Sequence, residues 1–261
     1  GVTAAYRLGW TVLLLLPVVL LRCRAELRRV TARDLVLCGA SGVLLALHFL
    51  TWFESLKRTS VASSTVLVST EVIFTALGFA LFLHGKIPRL GVWAILLAFG
   101  GSALLALSGG GGAGELSGNL LALAAASAAA VYTLIGRIQR GHLSTTVYTF
   151  LTYLACFLTL LLGTAAAGTP LTGYGGREWL IGLALAVLCT LLGHSLFSWC
   201  LKYLSPSYVS AAKLCEPVFS SLAAIPLFGE VPGPLQLAGG AAVLGAVLLY
   251  TWAEREKTPA G

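Results

Sequence analysis

The sequence predicts an all-α polytopic membrane protein built from two inverted repeats of a five-helix unit. Three observations carry this expectation. Of 261 residues, 57% are hydrophobic and only 10% are charged, whereas about a quarter of an average soluble domain is charged. Nine apolar stretches are long enough to cross a bilayer. The sequence also matches itself at an offset of 145 residues, in register with those stretches.

The apolar stretches run over 2–21, 35–53, 61–83, 90–108, 116–135, 145–167, 178–198, 208–228 and 235–252. About 20 apolar residues in a helix span the hydrocarbon core. Lipid offers no partner to unpaired backbone groups, and no barrel-type alternation is visible, so each stretch is expected to be helical. The connecting loops are short, and Gly109–Gly112 forms the clearest linker.

Charge then sets orientation. The net charge is +7, from 17 basic and 10 acidic residues. Alternate loops (22–34, 84–89, 136–144, 199–207 and the tail after 252) carry 12 basic residues, from Arg22 to Lys257. The opposite loops carry Lys57, Arg58 and Arg177 only. Short cytoplasmic loops collect Lys and Arg, so the first set, and with it the C-terminus, is expected in the cytoplasm. With the basic residues spent on topology, no basic, aromatic-interleaved patch remains for nucleic acid. The six cysteines form no C-x-x-C pair and read as small packing residues. No phosphate-cradling loop, H-E-x-x-H pattern or Cys/His cluster is present, so no cofactor and no metal are expected. The apolar stretch at the start is followed, not preceded, by its charges, which argues against a signal peptide.

The repeat is read as follows. An offset of 145 aligns Leu56-Lys57 with Leu201-Lys202, Ser60 with Ser205, Glu71 with Glu216, Phe74 with Phe219 and Leu77 with Leu222. An offset of 144 then aligns Gly85 with Gly229, Pro88 with Pro232 and Gly101 with Gly245. Extending the repeat backwards places about 30 residues before Gly1, enough for one further span. The expected organisation is a first repeat over 1–108 lacking its first helix, a linker over 109–115, a second repeat over 116–252 and a tail over 253–261. The complete protein would then have ten spans, nine of them present here. An odd number of spans per half inverts the second half, an arrangement of many secondary transporters, which hold substrate near midplane.

Two acidic residues fall inside apolar stretches, Glu71 and Glu216, and they are repeat partners. A carboxylate at the bilayer centre costs at least ~2.5–3.5 kcal/mol, so it faces a cavity, pairs with a cation or takes a proton. Lys213 lies three residues before Glu216, and at helical spacing both project on one face. It either pairs with Glu216, tunes its affinity for protons, or counters a substrate carboxylate. Glu71, with no basic residue in its own stretch, is then the expected proton carrier. His48 and Trp52 share a helical face, and His194 and Trp199 stand in the corresponding stretch of the second half. These four are candidates for a cavity wall, through proton relay or aromatic stacking; alternatively the histidines are buried core residues and the tryptophans interfacial. Arg7 reads as an anchor or salt-bridge residue. Rows of small residues at Ala94, Ala98, Ser102 and Ala106, at Ala122, Ala126 and Ala130, and at Ala238, Ala242 and Ala246 read as close-packing faces.

The stretch 45–74, "LALHFLTWFESLKRTSVASSTVLVSTEVIF", the stretch from Gly193 to Leu249, and the opening "AYRLGWTVLLLLP" resemble the EamA-type members of the drug/metabolite transporter superfamily. The resemblance implies a ten-helix carrier working by alternating access, often outward, on small metabolites such as amino acids, nucleotide-related compounds, sugars or drugs. Glu216-Pro217 and Gly229-Glu230 match the family pattern. Glu71-Val72 lacks its proline, His84-Gly85-Lys86 lacks its glutamate, and Lys213 is unusual.

The sequence therefore predicts a secondary transporter, in the exporting direction, of a small organic metabolite across the cell membrane, with protons as a coupling ion. The lipid bilayer is its other partner. Two alternatives stand beside this: a serine protease using Ser41 of Gly39-Ala40-Ser41-Gly42, or a membrane scaffold that transports nothing.

Overall fold

Long apolar runs with small residues at close contacts and few internal breakers fold here as helices. The computed structural model describes residues 2–58, 64, 67–107, 116–215 and 233–255, and among them every regular element is helical. In chain order these are α1 (Val2–Arg22), α2 (Arg24–Leu27), α3 (Ala32–Ser55), α4 (Glu71–Phe82), α5 (Arg89–Leu107), α6 (Leu116–Gln139), α7 (Thr145–Ala166), α8 (Gly176–Leu185), a π-helical segment (Ala186–His194), α9 (Ser195–Cys200), α10 (Pro206–Lys213) and α11 (Pro234–Arg255).

Five helical stretches are long and apolar enough to cross a membrane: Val2–Arg22, Ala32–Ser55, Leu116–Gln139, Thr145–Ala166 and Gly176–Cys200. Shorter apolar helices cover Leu67–Phe82, Arg89–Gly101 and Leu237–Tyr250. The expected span 208–228 lies mostly outside the described residues, which hold only its start. Many large apolar side chains face outward, among them Leu21 (83% exposed), Leu248 (71%) and Leu162 (70%). Water would penalise such a surface, and hydrocarbon solvates it. The protein is a multi-pass membrane protein.

The chain forms two compact units, and each draws on both halves of the sequence. The first comprises Gly1–Leu50 and Val131–Leu204. In it α1 packs along α7 and α8 and touches the π-helical segment. Leu8, Val19, Leu45, Phe49, Val147, Tyr148, Tyr153 and Leu160 are all buried. At Gly42 helix α3 runs backbone-to-backbone against α7: a Cβ there would lie 2.7 Å from the Cys156 nitrogen. The neighbouring Ser41 hydroxyl is buried and hydrogen-bonded to the Tyr148 hydroxyl at 2.9 Å. Ser41 and Gly42 thus serve helix contact, and Ser41 is engaged by a phenol rather than an imidazole.

The second unit comprises Thr51–Ala130 and Ser205–Gly261. Its core joins Val72 and Ala76 of α4, Ala94, Ile95 and Ala98 of α5, Ala211 and Leu214 of the α10 segment, and Val243, Ala246 and Tyr250 of α11. Helix α5 lies along α11, and a Cβ at Gly101 would sit 2.7 Å from the Gly239 carbonyl oxygen. Ala94 and Ala98 are buried as the small-residue pattern predicts, as are Ala122, Ala126 and Ala130. On α11 the expected row is buried at Ala246, half-buried at Ala242 and exposed at Ala238, and Gly239, Val243 and Tyr250 complete the buried line.

Candidate functional site

The second unit holds an ion pair in its apolar interior. Lys213 Nζ donates to Glu71 Oε1 at 2.7 Å, and both side chains are more than four-fifths buried. The Ser210 hydroxyl lies 3.4 Å from the same carboxylate oxygen and 3.2 Å from the Thr75 hydroxyl, to which it donates. Thr75 and Ser210 are themselves buried.

Two helix ends create this arrangement. A turn at Thr70 starts α4, so Glu71 stands in its first turn. There the Thr70 hydroxyl donates to the Leu67 carbonyl at 2.6 Å. Helix α10 begins at Pro206, capped by the Ser205 hydroxyl accepting from the Tyr208 nitrogen, and ends at Lys213. Leu214 and Cys215 follow as a tightened turn, bonded to the Ala211 and Ala212 carbonyls. Glu71 therefore complements the positive end of α4 and Lys213 the negative end of α10.

Lys213 reaches Glu71, which thus has the cationic neighbour its own stretch lacks. Glu216, with Pro217, lies outside the described residues.

Unit charges about 4 Å apart attract by about 4 kcal/mol at an effective dielectric constant near 20. Desolvation costs several kcal/mol for each ion and so offsets or exceeds that attraction, and net stabilisation does not account for the pair.

The first unit holds a second polar group. Arg7 Nε donates to the Thr190 hydroxyl at 2.6 Å, and the guanidinium lies 4.8 Å from the centre of the Phe49 ring. The His194 ring meets Phe49 edge-on at 5.8 Å and Tyr132 at 6.4 Å. His48 is buried, with its ring 5.3 Å from Phe49. Arg7 is thus half-buried and held by Thr190 and Phe49.

Thr190 lies within the π-helical segment, and hydroxyls shape that segment. Ser195 Oγ donates to the Thr190 carbonyl at 3.2 Å, five residues back, and Tyr153 shares a hydrogen bond with Ser195 at 3.2 Å. The expected uniform helix over 178–198 therefore widens in its middle, and π-helical turns of this kind recur at functional sites.

The candidate residues separate as follows. Glu71 and Lys213 meet in the second unit. His48 and His194 flank Phe49 in the first. Trp52 stacks on Phe53 at 5.8 Å, and Trp199 is 48% exposed and packs on Tyr203 at 5.0 Å. Thr75, Ser210, Phe49, Tyr132 and Thr190 escaped the sequence reading. Their only signal was a hydroxyl or ring one or two helical turns from an ionisable residue.

A helical membrane protein with an interior Glu–Lys pair has the anatomy of a carrier, and comparison with known proteins agrees. The family model of the EamA-like transporter family matches residues 2–107 and 116–252. The chain belongs to this transporter family. Its curated relatives include a pseudopaline exporter of Pseudomonas aeruginosa, 24% identical over 207 residues, covering 79% of this chain and 72% of the relative. A probable terminal-alkyne amino-acid exporter of Streptantibioticus cattleyicolor is 28% identical over 233 residues, covering 85% of this chain and 75% of the relative. A crystal structure 21% identical in sequence superposes with a TM-score of 0.79, covering 98% of this chain and 89% of that one, and shares the fold. EamA-like membership and exporter relatives point to a transporter of small molecules rather than an enzyme.

Proposed function

We propose that the protein is a secondary transporter that exports a small organic metabolite across the cytoplasmic membrane by alternating access, with Glu71 and Lys213 as its moving charge pair. The observation that carries this is the 2.7 Å Lys213–Glu71 contact, buried between two helix ends inside an apolar unit. Interrupted helices that present their ends to a site are a recurrent device of secondary transporters.

In this reading a proton taken up by Glu71 cancels the carboxylate charge and releases Lys213. The freed ammonium then attracts an anionic group of the substrate, and proton loss restores the pair. Glu216 contributes the repeat-related carboxylate, and His48, Trp52, His194 and Trp199 contribute wall or relay positions. The relatives whose names specify exporters of pseudopaline and of an amino acid support a polar organic cargo and the outward direction.

The domain reading is a duplication with the second half inverted: a first repeat over 1–108, a linker over 109–115, a second repeat over 116–252 and a cytoplasmic tail. Two features support it. The family model matches one stretch in each half. Helices α5 and α11, which the repeat makes equivalent, begin 145 residues apart and pack along each other.

The test is flux in proteoliposomes holding the full chain, across a panel of amino acids, nucleosides and sugars, with and without an imposed pH gradient. A gradient-dependent flux of at least one compound that disappears in Lys213→Gln supports the reading. Flux indifferent to both the gradient and Lys213 overturns it.

A further inference from the structure

Away from both polar groups the first unit has a cavity of about 550 Å³ at the junction of α1, α2 and α3, closed from the other side by the turn after α6. Its lining includes Arg22, Arg29, Glu26, Thr31, Asp34 and His142.

The two acidic side chains in this wall are already engaged by protein donors. Asp34 Oδ2 accepts from the Thr31 nitrogen at 3.0 Å and from the Thr31 hydroxyl at 2.7 Å. Asp34 Oδ1 lies 2.7 Å from His142 Nε2 and accepts from Gln139 Nε2 at 3.2 Å. Glu26 Oε1 accepts from the Ser144 nitrogen. The side chains of Arg22 and Arg29 are exposed and make no hydrogen bond or ion pair with any described residue. The cavity therefore offers two guanidinium groups whose donors are unspent, against carboxylates whose acceptors are largely spent.

Its position selects the ligand. Arg22 is the last residue of a membrane-crossing helix, directly after the outward-facing Leu20 and Leu21. Asp34 directly precedes Leu35 and Val36, also exposed on α3. A molecule meeting these residues together needs an anionic head and apolar chains. Guanidinium pairs phosphate through parallel N–H donors, and basic pockets between membrane helices collect lipid phosphates in this way.

We propose that this cavity binds the phosphate headgroup of an anionic phospholipid, with Arg22 and Arg29 as its phosphate ligands and the α1 and α3 leucines against its acyl chains. The site is separate from the transport pair, and its occupancy does not depend on what is carried.

The test uses the purified full chain in detergent and native mass spectrometry with added dioleoyl phosphatidylglycerol. The first lipid bound should have its apparent affinity lowered roughly twenty-fivefold in R22Q/R29Q, at about fivefold for each surface arginine. Arg177→Gln, on an exposed residue of the opposite loop set, should leave it unchanged. Dioleoyl phosphatidylcholine should bind more weakly to the unaltered chain and equally to both variants. On the unaltered chain, raising salt from about 0.1 M to about 1 M should weaken phosphatidylglycerol binding, because surface charges are screened; this arm stands even if the double variant folds poorly. Equal phosphatidylglycerol binding by R22Q/R29Q, equal affinity for the two lipids, or binding indifferent to salt would overturn the proposal. Full competition by glycerol 3-phosphate at the lipid's own concentration would overturn it in favour of a soluble anion.

Discussion

Lys213, the last residue of α10, closes an ion pair with Glu71, in the first turn of α4, although 142 residues separate them in sequence. Each charge sits where its helix's dipole favours it. Each meets here a partner from the other helix.

Splitting this pair should be far more damaging than replacing it. Lys213→Gln leaves a buried carboxylate and Glu71→Gln a buried ammonium, each expected to cost about 3–5 kcal/mol. The double variant Glu71→Gln/Lys213→Gln should recover most of that loss but not transport. Thermal unfolding in detergent reads the first quantity and proteoliposome flux the second. Additive losses in the double variant would show that the two side chains do not act as a pair.

The membrane class and the helical character of the apolar stretches were legible, with five described helices long and apolar enough to cross a membrane, because the bilayer imposes one rule on every span. What the sequence concealed depends on contacts between elements. The Lys213–Glu71 contact joins residues 142 positions apart, and no spacing within either stretch announces it. A π-helical segment has the same composition as an α-helix, so Ala186–His194 gave no sign of its widening. On α11 alanine spacing marked Ala246 but missed Gly239, Val243 and Tyr250, which complete the buried line. Arg7 was recognisable as an unusual charge, but its partners Thr190 and Phe49 lie 183 and 42 positions away.

The α5–α11 contact gives a packing prediction. Gly101→Leu forces a side chain against the Gly239 carbonyl and Val243, where a Cβ alone would already be 2.7–2.9 Å from its neighbours. Overpacking of this kind costs about 1–3 kcal/mol. Gly100→Leu is the control, since a Cβ there meets nothing within 4 Å. A lowered unfolding temperature for the first and not the second is expected. Equal behaviour would mean that α5 and α11 do not approach this closely.

Orientation follows from the loop charges and is open to labelling. In a cysteine-free background, a cysteine replacing Arg28 should react with an impermeant maleimide only from the cytoplasmic side. One replacing Arg177 should react only from outside, because the two belong to opposite loop sets. The reverse pattern would invert the topology and turn the proposed exporter around.

The last prediction concerns Arg7. Its guanidinium hydrogen-bonds Thr190 and covers the Phe49 ring in the same interior space. A desolvated cation–π contact is worth about 2 kcal/mol, and a charge-assisted hydrogen bond about 1.5–3 kcal/mol. Arg7→Lys keeps the charge but presents a shorter, round donor, so it should retain the fold and lose part of each contact. Phe49→Leu preserves much of the volume and removes the ring's attraction for the cation. If the ring holds the guanidinium, the two substitutions are coupled, and their combined cost should fall short of the sum by about 0.5–2 kcal/mol. Thr190→Val tests the other arm: it removes the hydroxyl that anchors Arg7 to the π-helical segment while keeping its shape. Flux should fall more than stability in Thr190→Val if the segment's contact with Arg7 matters for movement. Strict additivity of Arg7→Lys with Phe49→Leu, together with unchanged flux in Thr190→Val, would reduce Arg7 to a packing residue.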